Sequence, residues 1–182
     1  MSATELLGRV VPLLQQAGLE FMIAGSFAST YHGEPRTTHD IDIVIDGSLS
    51  ALETFVTSLD SDTTYVDLDV ARDAHTRRGN IVDMTSGWKV DFIVRKNRPF
   101  SVEEFQRRQP ARLLGCDVFV ATAEDTIVAK LDWARDTSSE RQLQDVASII
   151  AVSGDALDQG YVDRWIGELG LAELWAKATS QC

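Results

Sequence analysis

The chain has 182 residues, of which 44% are hydrophobic and 25% are charged, and its formal net charge at pH 7 is −11. These values are typical of a globular domain of ordinary size and exclude an intrinsically disordered chain. The negative charge disfavours broad non-specific binding to nucleic acid, because the summed field repels phosphate groups. No apolar run approaches the roughly 20 residues that a membrane-spanning helix needs, so we expect no membrane partner.

The first segment and the cysteines bear on where the protein works. Residues 1–18 predict an amphipathic helix rather than a signal peptide, because they lack a basic segment and a cleavage site. Cys116 and Cys182 are far apart in sequence, which fits a reducing cytoplasm and gives no zinc-binding spacing. We therefore predict a cytoplasmic protein.

Hydrophobic periodicity predicts alternating helices and strands along most of the chain. In order, the predicted elements are a helix over 4–17, a strand over 21–24, a short helix over 27–31, a strand over 39–46, a helix over 49–59, strands over 80–85, 88–95 and 117–120, and helices from 123, over 139–152 and over 156–178. The predicted fold class is α/β (α+β), with a mixed β-sheet core flanked by helices. We assign residues 1–121 to this core and residues 122–182 to a small helical part packed on it.

Two carboxylates on one predicted strand are the most informative feature of the chain. Asp40 and Asp42 lie two residues apart, so their side chains share one face of the strand, while the isoleucines between and after them face the other way. Two anions side by side are costly unless a cation neutralises them. Oxygen ligands of this kind suit Mg²⁺, which binds through one or two carboxylates and substrate phosphates. The pattern predicts a site for metal-dependent phosphoryl or nucleotidyl transfer.

A third carboxylate, Asp91, lies on the second strand of a predicted hairpin. The Ser86–Gly87 pair predicts a two-residue turn, which would place Val82 opposite Asp91. Directly opposed residues share a face, so Asp83 and Asp91 would point to opposite faces and only one could join the first two carboxylates. We choose Asp91, because apolar residues flank it on both sides.

The helix after residue 121 has a clear start. Thr122 and Asp125 have the spacing of a capping box. Its predicted buried stripe consists of Ile127, Val128, Leu131 and Ala134. Lys130 lies at the edge of this stripe, where its stem can cover apolar surface while its ammonium extends beyond.

With these motifs, the chain resembles the nucleotidyltransferases of the polymerase β superfamily, and in particular the branch that includes abortive-infection type II toxins. The matching motifs are Gly25-Ser26, Arg36-Thr37-Thr38, Asp40-Ile41-Asp42-Ile43, Val90-Asp91-Phe92 and Lys130-Leu131. The resemblance covers about residues 20 to 135. It implies a nucleotidyltransferase core and an enzyme that transfers NMP from an NTP.

The resemblance implies catalytic and metal-binding roles for three residues. Asp40 and Asp42 would hold the Mg²⁺ ion bound to the triphosphate, and Asp91 would complete a second metal site that activates the acceptor hydroxyl. Two ions are expected, with Mn²⁺ as the alternative metal. Such a pair can stabilise both the attacking and the leaving oxygen of an in-line displacement.

The resemblance also implies a nucleotide-binding set. Gly25 would allow close backbone approach, and the Ser26 hydroxyl would hold phosphate oxygens at a helix N-terminus. Lys130 would neutralise triphosphate charge. Arg36 would contact a phosphate, with capping of its own loop as the alternative.

The expected partners are an NTP and an acceptor hydroxyl on RNA, a protein or a small molecule, and the branch leaves open a cognate toxin or antitoxin. One alternative function is a non-catalytic module with the same fold that binds nucleotide or a partner. Another is a metal-dependent phosphohydrolase or nuclease that uses the same carboxylates. For Asp91 alone, a structural ion pair with Lys89 or Arg95 remains an alternative.

Two further groups of residues have both a functional and an ordinary interpretation. A basic stretch follows Asp91 and consists of Arg95, Lys96, Arg98, Arg107, Arg108 and Arg112. It predicts either a solvated loop and helix face or a surface for a polyanionic acceptor. His32 and His39 lack partners with metal-ligand spacing, so we interpret them as loop residues.

Overall fold

The structure is a computed structural model that describes residues 2–59, 64–67, 78–83 and 87–181. The chain forms two compact units. The first consists of Met1–Ala24 and Thr38–Val120, and the second of Gly25–Thr37 and Ala121–Cys182. The second unit thus consists of two chain segments, one that ends at Thr37 and one that runs from Ala121 to the end of the chain.

The first unit contains the whole sheet. Its elements are α1 (Ala3–Gln16), β1 (Glu20–Ala24), β2 (Asp40–Asp46), α3 (Leu49–Thr57), β3 (Thr64–Asp67), β4 (Arg78–Asp83), β5 (Lys89–Val94), α4 (Pro99–Arg107), β6 (Gln109–Leu113) and β7 (Cys116–Val120). Helix α2 (Gly25–His32) belongs to the second unit. The seven described strands are ordered β3-β4-β5-β2-β1-β7-β6. The pairs β2–β5 and β1–β7 are parallel, and the remaining neighbours are antiparallel. The predicted mixed α and β architecture is confirmed.

The apolar face of the central strands forms the core of this unit. Ile41, Ile43 and Ile45 are buried, as are Val90 and Phe92 on the neighbouring strand β5. These residues alternate with polar ones, so the opposite face of the same strands carries the aspartates. Helix α3 packs against the apolar face, where the ring of its one buried residue, Phe55, lies 5.1 Å from that of Phe92 in an edge-to-face arrangement.

The predicted hairpin register is wrong by two positions. Val82 pairs with Lys89, and Asn80 pairs with Asp91. The reason is that β4 ends at Asp83 and β5 begins at Lys89, so the connection is longer than a two-residue turn. Residues 84–86 of that connection, including Ser86 of the expected turn, lie outside the described residues.

Three elements of this unit did not emerge from the sequence pattern. They are β3, α4 and β6. Helix α4 starts at Pro99, a residue suited to the first helical position because its missing N–H would be unbonded there in any case. Strand β6 contains Pro110, which argues against a central strand but is tolerated at the sheet edge where β6 lies.

The second unit is helical. Its elements are α2 (Gly25–His32), α5 (Ala123–Thr137), α6 (Glu140–Ser153), a 3₁₀ turn (Gly154–Ala156), α7 (Gln159–Leu169) and α8 (Ala172–Thr179). The predicted cap of α5 is confirmed, because the Thr122 hydroxyl accepts a hydrogen bond of 3.1 Å from the Asp125 amide. The single helix expected over 156–178 is two helices. Gly170 ends α7 in the left-handed conformation, with φ of 67°, which is readily adopted by glycine.

Helices α2 and α6 approach each other closely at Gly33. A Cβ atom at this position would lie 2.7 Å from the Ser148 hydroxyl and 3.1 Å from the Ile149 amide nitrogen. The Ser148 hydroxyl in turn accepts a 2.7 Å hydrogen bond from the Glu34 amide. The absence of a side chain at Gly33 therefore lets this segment bond to α6.

Among the described helices, none combines the length and apolar character needed to cross a membrane.

Candidate active site

The three predicted carboxylates lie on neighbouring strands of the first unit. Asp42 and Asp91 are register partners in the parallel pair β2–β5, and Asp40 precedes Asp42 by two residues. Adjacent strands are about 4.8 Å apart, and aligned positions of parallel strands face the same side. Asp40 is exposed, and the other two are half-buried. The polar face of β2 and β5 thus carries Asp40, Asp42 and Asp91 together; we call these residues the carboxylate face.

A lysine that belongs to the same strand lies among these carboxylates. Lys89 is the register partner of Asp40, and its Nζ lies 2.9 Å from Oδ2 of Asp91. The hydrogen bond to Asp91 raises the pKa of Lys89 above its ordinary value; partial burial opposes the shift, and the charges of Asp91, Asp40 and Asp42 add to it. All three carboxylates therefore act on one ammonium group. The other suggested partner of Asp91, Arg95, pairs with Asp46 instead at 2.7 Å.

The chemistry of the carboxylate face fits Mg²⁺ when substrate supplies further ligands. Its donors are carboxylate oxygens, the ligands that this ion prefers, and Mg²⁺ commonly takes only one or two carboxylates together with phosphate oxygens and water. Within the described residues, no group of three acidic, histidine or cysteine side chains is arranged to hold a metal ion by itself. The described carboxylates therefore do not form a metal cage by themselves.

The predicted nucleotide-binding residues all lie in the second unit. Gly25 begins helix α2 with φ of 57°, in the left-handed region that favours glycine. Ser26 follows in the first turn, and its hydroxyl accepts a 2.6 Å hydrogen bond from Nη2 of Arg36. Arg36 thus holds the loop that leads into β2 against the start of α2, which is the capping role that the sequence left open. Its guanidinium lies beside the helix N-terminus, where positive charge and free N–H groups favour an anion.

A buried ion cluster joins two residues of this set. Asp145 on α6 accepts hydrogen bonds from Arg36 Nε at 2.7 Å and Nη2 at 2.9 Å, and from Lys130 Nζ at 2.7 Å. Lys130 also donates to Gln142 at 2.9 Å. The expectation that the Lys130 ammonium extends beyond the apolar stripe is wrong: its side chain is 6% exposed, because α6 supplies the carboxylate that neutralises it.

Asp145 is the residue of this cluster that the sequence did not single out. Burial by itself raises the pKa of the Asp145 carboxyl, but the hydrogen bonds and positive charges of Arg36 and Lys130 outweigh it, so its pKa lies below the usual value. Asp145 is 109 residues from Arg36 along the chain. No local spacing links them, and the only available signal was an acidic residue at a buried position of an amphipathic helix.

Neither discussed histidine is placed as a metal ligand. His32 is the last residue of α2 rather than a loop residue, and its Nε2 donates a 2.7 Å hydrogen bond to the carbonyl of Ala121. Burial lowers the pKa of His32, and this hydrogen bond and the charge of Glu124 offset part of the shift. His39 precedes β2, as expected, and its ring lies 5.4 Å from that of Trp88 before β5.

The basic stretch is largely engaged within its own unit. Arg95 binds Asp46, Arg98 donates to the Ser101 hydroxyl at 2.9 Å, and Arg108 donates to Glu20 at 3.0 Å. The Arg108 guanidinium also lies over the rings of Phe105 and Phe119, at 4.2 and 5.1 Å from their centroids. Lys96 and Arg112 are exposed. The stretch therefore contributes intramolecular contacts at several positions and is not a continuous row of free cations.

Comparison with known proteins shows the fold. No protein-family model matches the chain, and no curated protein matches it significantly. The solution structure of the antibiotic-resistance factor ANT(2'')-Ia aligns over 98% of this chain and 96% of its own, with a TM-score of 0.61 and 13% identity. A crystal structure of ANT(2'')-Ia in complex with adenylyl-2''-tobramycin aligns over 92% and 99%, with a TM-score of 0.63 and 11% identity.

A third structure extends the likeness to a second protein. It is that of an antigenic nucleotidyltransferase-like protein from Paracoccidioides brasiliensis, which aligns over 98% of this chain and 94% of its own, with a TM-score of 0.56 and 15% identity. The chain therefore has the fold of nucleotidyltransferase structures along nearly its whole length. At these identities the likeness concerns the fold alone.

Proposed function

We propose that the chain is an Mg²⁺-dependent nucleotidyltransferase that moves NMP from an NTP to an acceptor hydroxyl. The observation that carries this proposal is the carboxylate face, in which Asp42 and Asp91 are aligned on adjacent parallel strands with Asp40 two residues away. The nucleotidyltransferase fold supports it. The ion pair of Lys89 with Asp91 is partly exposed, with side chains 35% and 29% exposed, so it is not a buried salt bridge of the core.

In this proposal the three carboxylates have different roles in metal binding. Asp40 and Asp42 would hold the Mg²⁺ ion bound to the triphosphate, and Asp91 would complete a second metal site. When bound, Mg²⁺ would supply Lewis-acid stabilisation of the charge on the phosphoryl and leaving oxygens. Asp91 acts toward the acceptor, orienting and priming its hydroxyl. The opposite face of the same strands is packed with isoleucine, valine and phenylalanine, which fixes the strands in register.

The phosphate-binding part of the proposal rests on the start of helix α2. Strand β1 ends at Ala24, the register partner of Asp42, and Gly25 is the next residue of the chain. Gly25 gives the backbone its left-handed turn, and the Ser26 hydroxyl binds phosphate oxygen. Arg36 donates to Ser26 and supplies positive charge near it. The cluster of Arg36, Lys130 and Asp145 contains two cations and one carboxylate, so it retains one net positive charge.

The proposed reaction exchanges a phosphoanhydride bond of the NTP for a phosphate ester bond to the acceptor. The acceptor oxygen forms a bond to the α-phosphorus, the bond from that phosphorus to the oxygen bridging to the β-phosphate breaks, and pyrophosphate leaves. The hydroxyl proton is released to solvent. The chain's residues bind and orient the two reactants, which converts a bimolecular encounter into a reaction within one complex.

The surface charge bears on the acceptor. With a net charge of −11 and Arg95, Arg98 and Arg108 engaged in intramolecular contacts, the chain is poorly suited to hold a long polyanion. A small molecule or a protein hydroxyl, uncharged or cationic, is therefore favoured over RNA. The toxin–antitoxin role and its cognate partner stay predictions from the resemblance.

The test is transfer of labelled NMP by the purified chain. Each of the four α-labelled NTPs is incubated with Mg²⁺ and panels of small-molecule, protein and RNA acceptors, and adducts are identified by mass spectrometry. The matched variants are Asp42→Ala and Asp46→Asn, because Asp46 lies on the same face of β2 four residues beyond Asp42, about 13 Å along the strand, and pairs there with Arg95. Asp42→Ala should lower the transfer rate by about a hundredfold or more, since it removes a metal ligand, while Asp46→Asn should retain it.

Three results would contradict the proposal. Transfer unchanged in Asp42→Ala would remove the carboxylate face from the chemistry. NTP binding without any adduct under all acceptor panels would favour the non-catalytic module. Hydrolysis of nucleotide or nucleic acid without adduct would favour the phosphohydrolase or nuclease.

A further inference from the structure

We propose that Lys89 is a built-in counter-cation of the carboxylate face, which a divalent ion must displace from Asp91, and that it thereby keeps metal binding weak until nucleotide is present. This inference rests on the proposed function, because it concerns the metal that the carboxylate face would hold. It gives a role to a residue that the sequence offered only as a structural partner of Asp91.

The first support is geometry. Lys89 lies two residues before Asp91 on β5, so both side chains share the face that carries Asp40 and Asp42. Its Nζ lies 2.9 Å from Oδ2 of Asp91, a distance at which the ammonium occupies a lone pair of that oxygen. A metal ion that used the same oxygen would stand close to a positive charge. The ammonium and the ion therefore compete for Asp91.

The second support is that this contact can be released at low cost. The side chains of Lys89 and Asp91 are 35% and 29% exposed, so the ion pair is partly screened by water. Such partly exposed pairs are weak and the lysine stem is flexible, so the ammonium can move into solvent. Lys89 is then suited to weaken metal binding rather than to prevent it.

The third support is that the sheet does not depend on this ion pair. Strands β2 and β5 are aligned over six consecutive register pairs, from Asp40–Lys89 to Ile45–Val94. Val90 and Phe92, on either side of Asp91, are buried in the core. Packing of this kind fixes the position of Asp91 whether or not Lys89 touches it. A purely structural purpose therefore leaves the placement of the lysine unexplained.

A nucleotide changes the balance. An NTP brings phosphate oxygens that complete the coordination of the ion and offer a new anionic partner to the displaced ammonium. Metal and nucleotide should then bind with positive coupling, and by linkage each increases the affinity of the other by the same factor. Replacing Lys89 by an uncharged residue should raise the affinity for metal alone and reduce this coupling.

The experiment is a Mn²⁺ titration of the full chain at pH 7 without nucleotide. Electron paramagnetic resonance measures the concentration of free Mn²⁺ at each step. The variants are Lys89→Met, Lys89→Gln, Lys89→Arg and, as matched control, Arg95→Met, which removes one positive charge just after the other end of β5. Thermal unfolding of each variant checks that it is folded. The titration is repeated with a non-hydrolysable NTP.

We expect Lys89→Met and Lys89→Gln to tighten the Mn²⁺ Kd by about threefold to fivefold, because the ion then no longer has to displace an ammonium from Asp91. Lys89→Arg, which keeps the charge, and Arg95→Met should stay within about twofold of the unmodified protein, since distant charges are screened. The NTP should tighten Mn²⁺ binding less in Lys89→Met than in the unmodified protein.

Two outcomes overturn the inference, and they differ in what else they affect. If Mn²⁺ binds, and Asp42→Asn abolishes binding, but Lys89→Met shifts the Kd no more than Arg95→Met, then Lys89 has no such role while the proposed metal site stands. If no variant binds Mn²⁺ with or without NTP, the metal site itself is wrong, and the role of Lys89 is rejected with it.

Discussion

Replacing Asp145 by asparagine should destabilise the protein strongly, because this carboxylate is the anionic partner of both Arg36 and Lys130 in the buried cluster of the second unit. The side chains of Asp145 and Lys130 are each 6% exposed, and that of Arg36 is 24% exposed. Removing one partner of a buried ion pair typically costs about 3–5 kcal/mol, since the remaining charge stays buried. We expect a loss of this size in the free energy of unfolding.

The protein contains a matched control. Asp46 accepts a hydrogen bond from Arg95 at 2.7 Å, the same length as the Asp145–Arg36 and Asp145–Lys130 bonds, but the Asp46 side chain is 37% exposed. Exposed pairs are worth about 0.2–1 kcal/mol, so Asp46→Asn should cost no more than that. The comparison keeps the contact distance constant and varies burial, together with the number of cations bound, which is two for Asp145.

The assay is urea unfolding at pH 7, monitored by circular dichroism. It compares the unmodified protein with Asp145→Asn, Asp46→Asn and the double variant Asp145→Asn/Lys130→Met. The double variant should recover part of the loss, because it removes a cation that Asp145→Asn leaves behind. Equal costs for Asp145→Asn and Asp46→Asn would refute the reasoning that burial, rather than contact distance, sets the strength of these pairs.

The pH dependence of this variant has a defined sign. The pKa of Asp145 in the folded protein lies below its ordinary value, so the unfolded chain binds the proton more readily. The stabilisation is then fully present above the unfolded pKa of about 3.9 and is lost as the pH falls through the folded pKa. The difference in stability between the unmodified protein and Asp145→Asn should be constant near neutral pH and shrink only in strong acid. A difference that already shrank between pH 7 and pH 5 would contradict the assignment to Asp145.

Three further predictions concern the helical unit. Burial lowers the pKa of His32, so this residue stabilises the fold above about pH 6.5, and the stabilisation is lost as the pH falls through the folded pKa. Between pH 7.5 and 5.5, the free energy of unfolding measured in urea should change less in His32→Gln than in the unmodified protein. Gly33→Ala should cost about 1–3 kcal/mol, because a Cβ would press on helix α6, whereas Gly167→Ala, with no atom within 4 Å of its Cβ, should be neutral or stabilising in the same urea assay. Tyr161→Phe should cost about 1–3 kcal/mol by thermal unfolding, because it leaves the buried Asp125 carboxylate without the tyrosine hydroxyl donor. Equal pH responses, a tolerated Gly33→Ala or an unchanged Tyr161→Phe would each contradict its own prediction.

The sequence predicted the parts of the site that depend on short-range periodicity. The alternation of Asp40, Ile41 and Asp42 fixes which face of β2 is polar, because successive strand residues must point to opposite sides. The Thr122 cap followed from spacing within one turn. The position of Asp91 beside Asp42 depends on pairing between strands that are distant in sequence. The choice of Asp91 rested on its apolar neighbours and on the family motif, and the predicted hairpin register was wrong.

The parts that the sequence did not predict depend on contacts between distant segments. Asp145 is an ordinary acidic helix residue until α6 brings it to Arg36 and Lys130. Strand β6 contains Pro110, whose usual exclusion from strands is relaxed at a sheet edge that a local pattern does not reveal. The pairing of Lys89 with Asp91 was one of two alternatives, and the choice between Lys89 and Arg95 depends on which carboxylate lies within reach of each side chain.

The most direct test of the central claim is a crystal of the full chain grown with Mn²⁺ and a non-hydrolysable NTP, examined by anomalous diffraction. The account predicts an anomalous peak within about 2.5 Å of carboxylate oxygens of Asp42 and of Asp40 or Asp91, with phosphate oxygens of the nucleotide as further ligands. It also predicts that Lys89 has left Asp91. A nucleotide bound with no metal at these carboxylates, or a metal bound elsewhere on the chain, would contradict it.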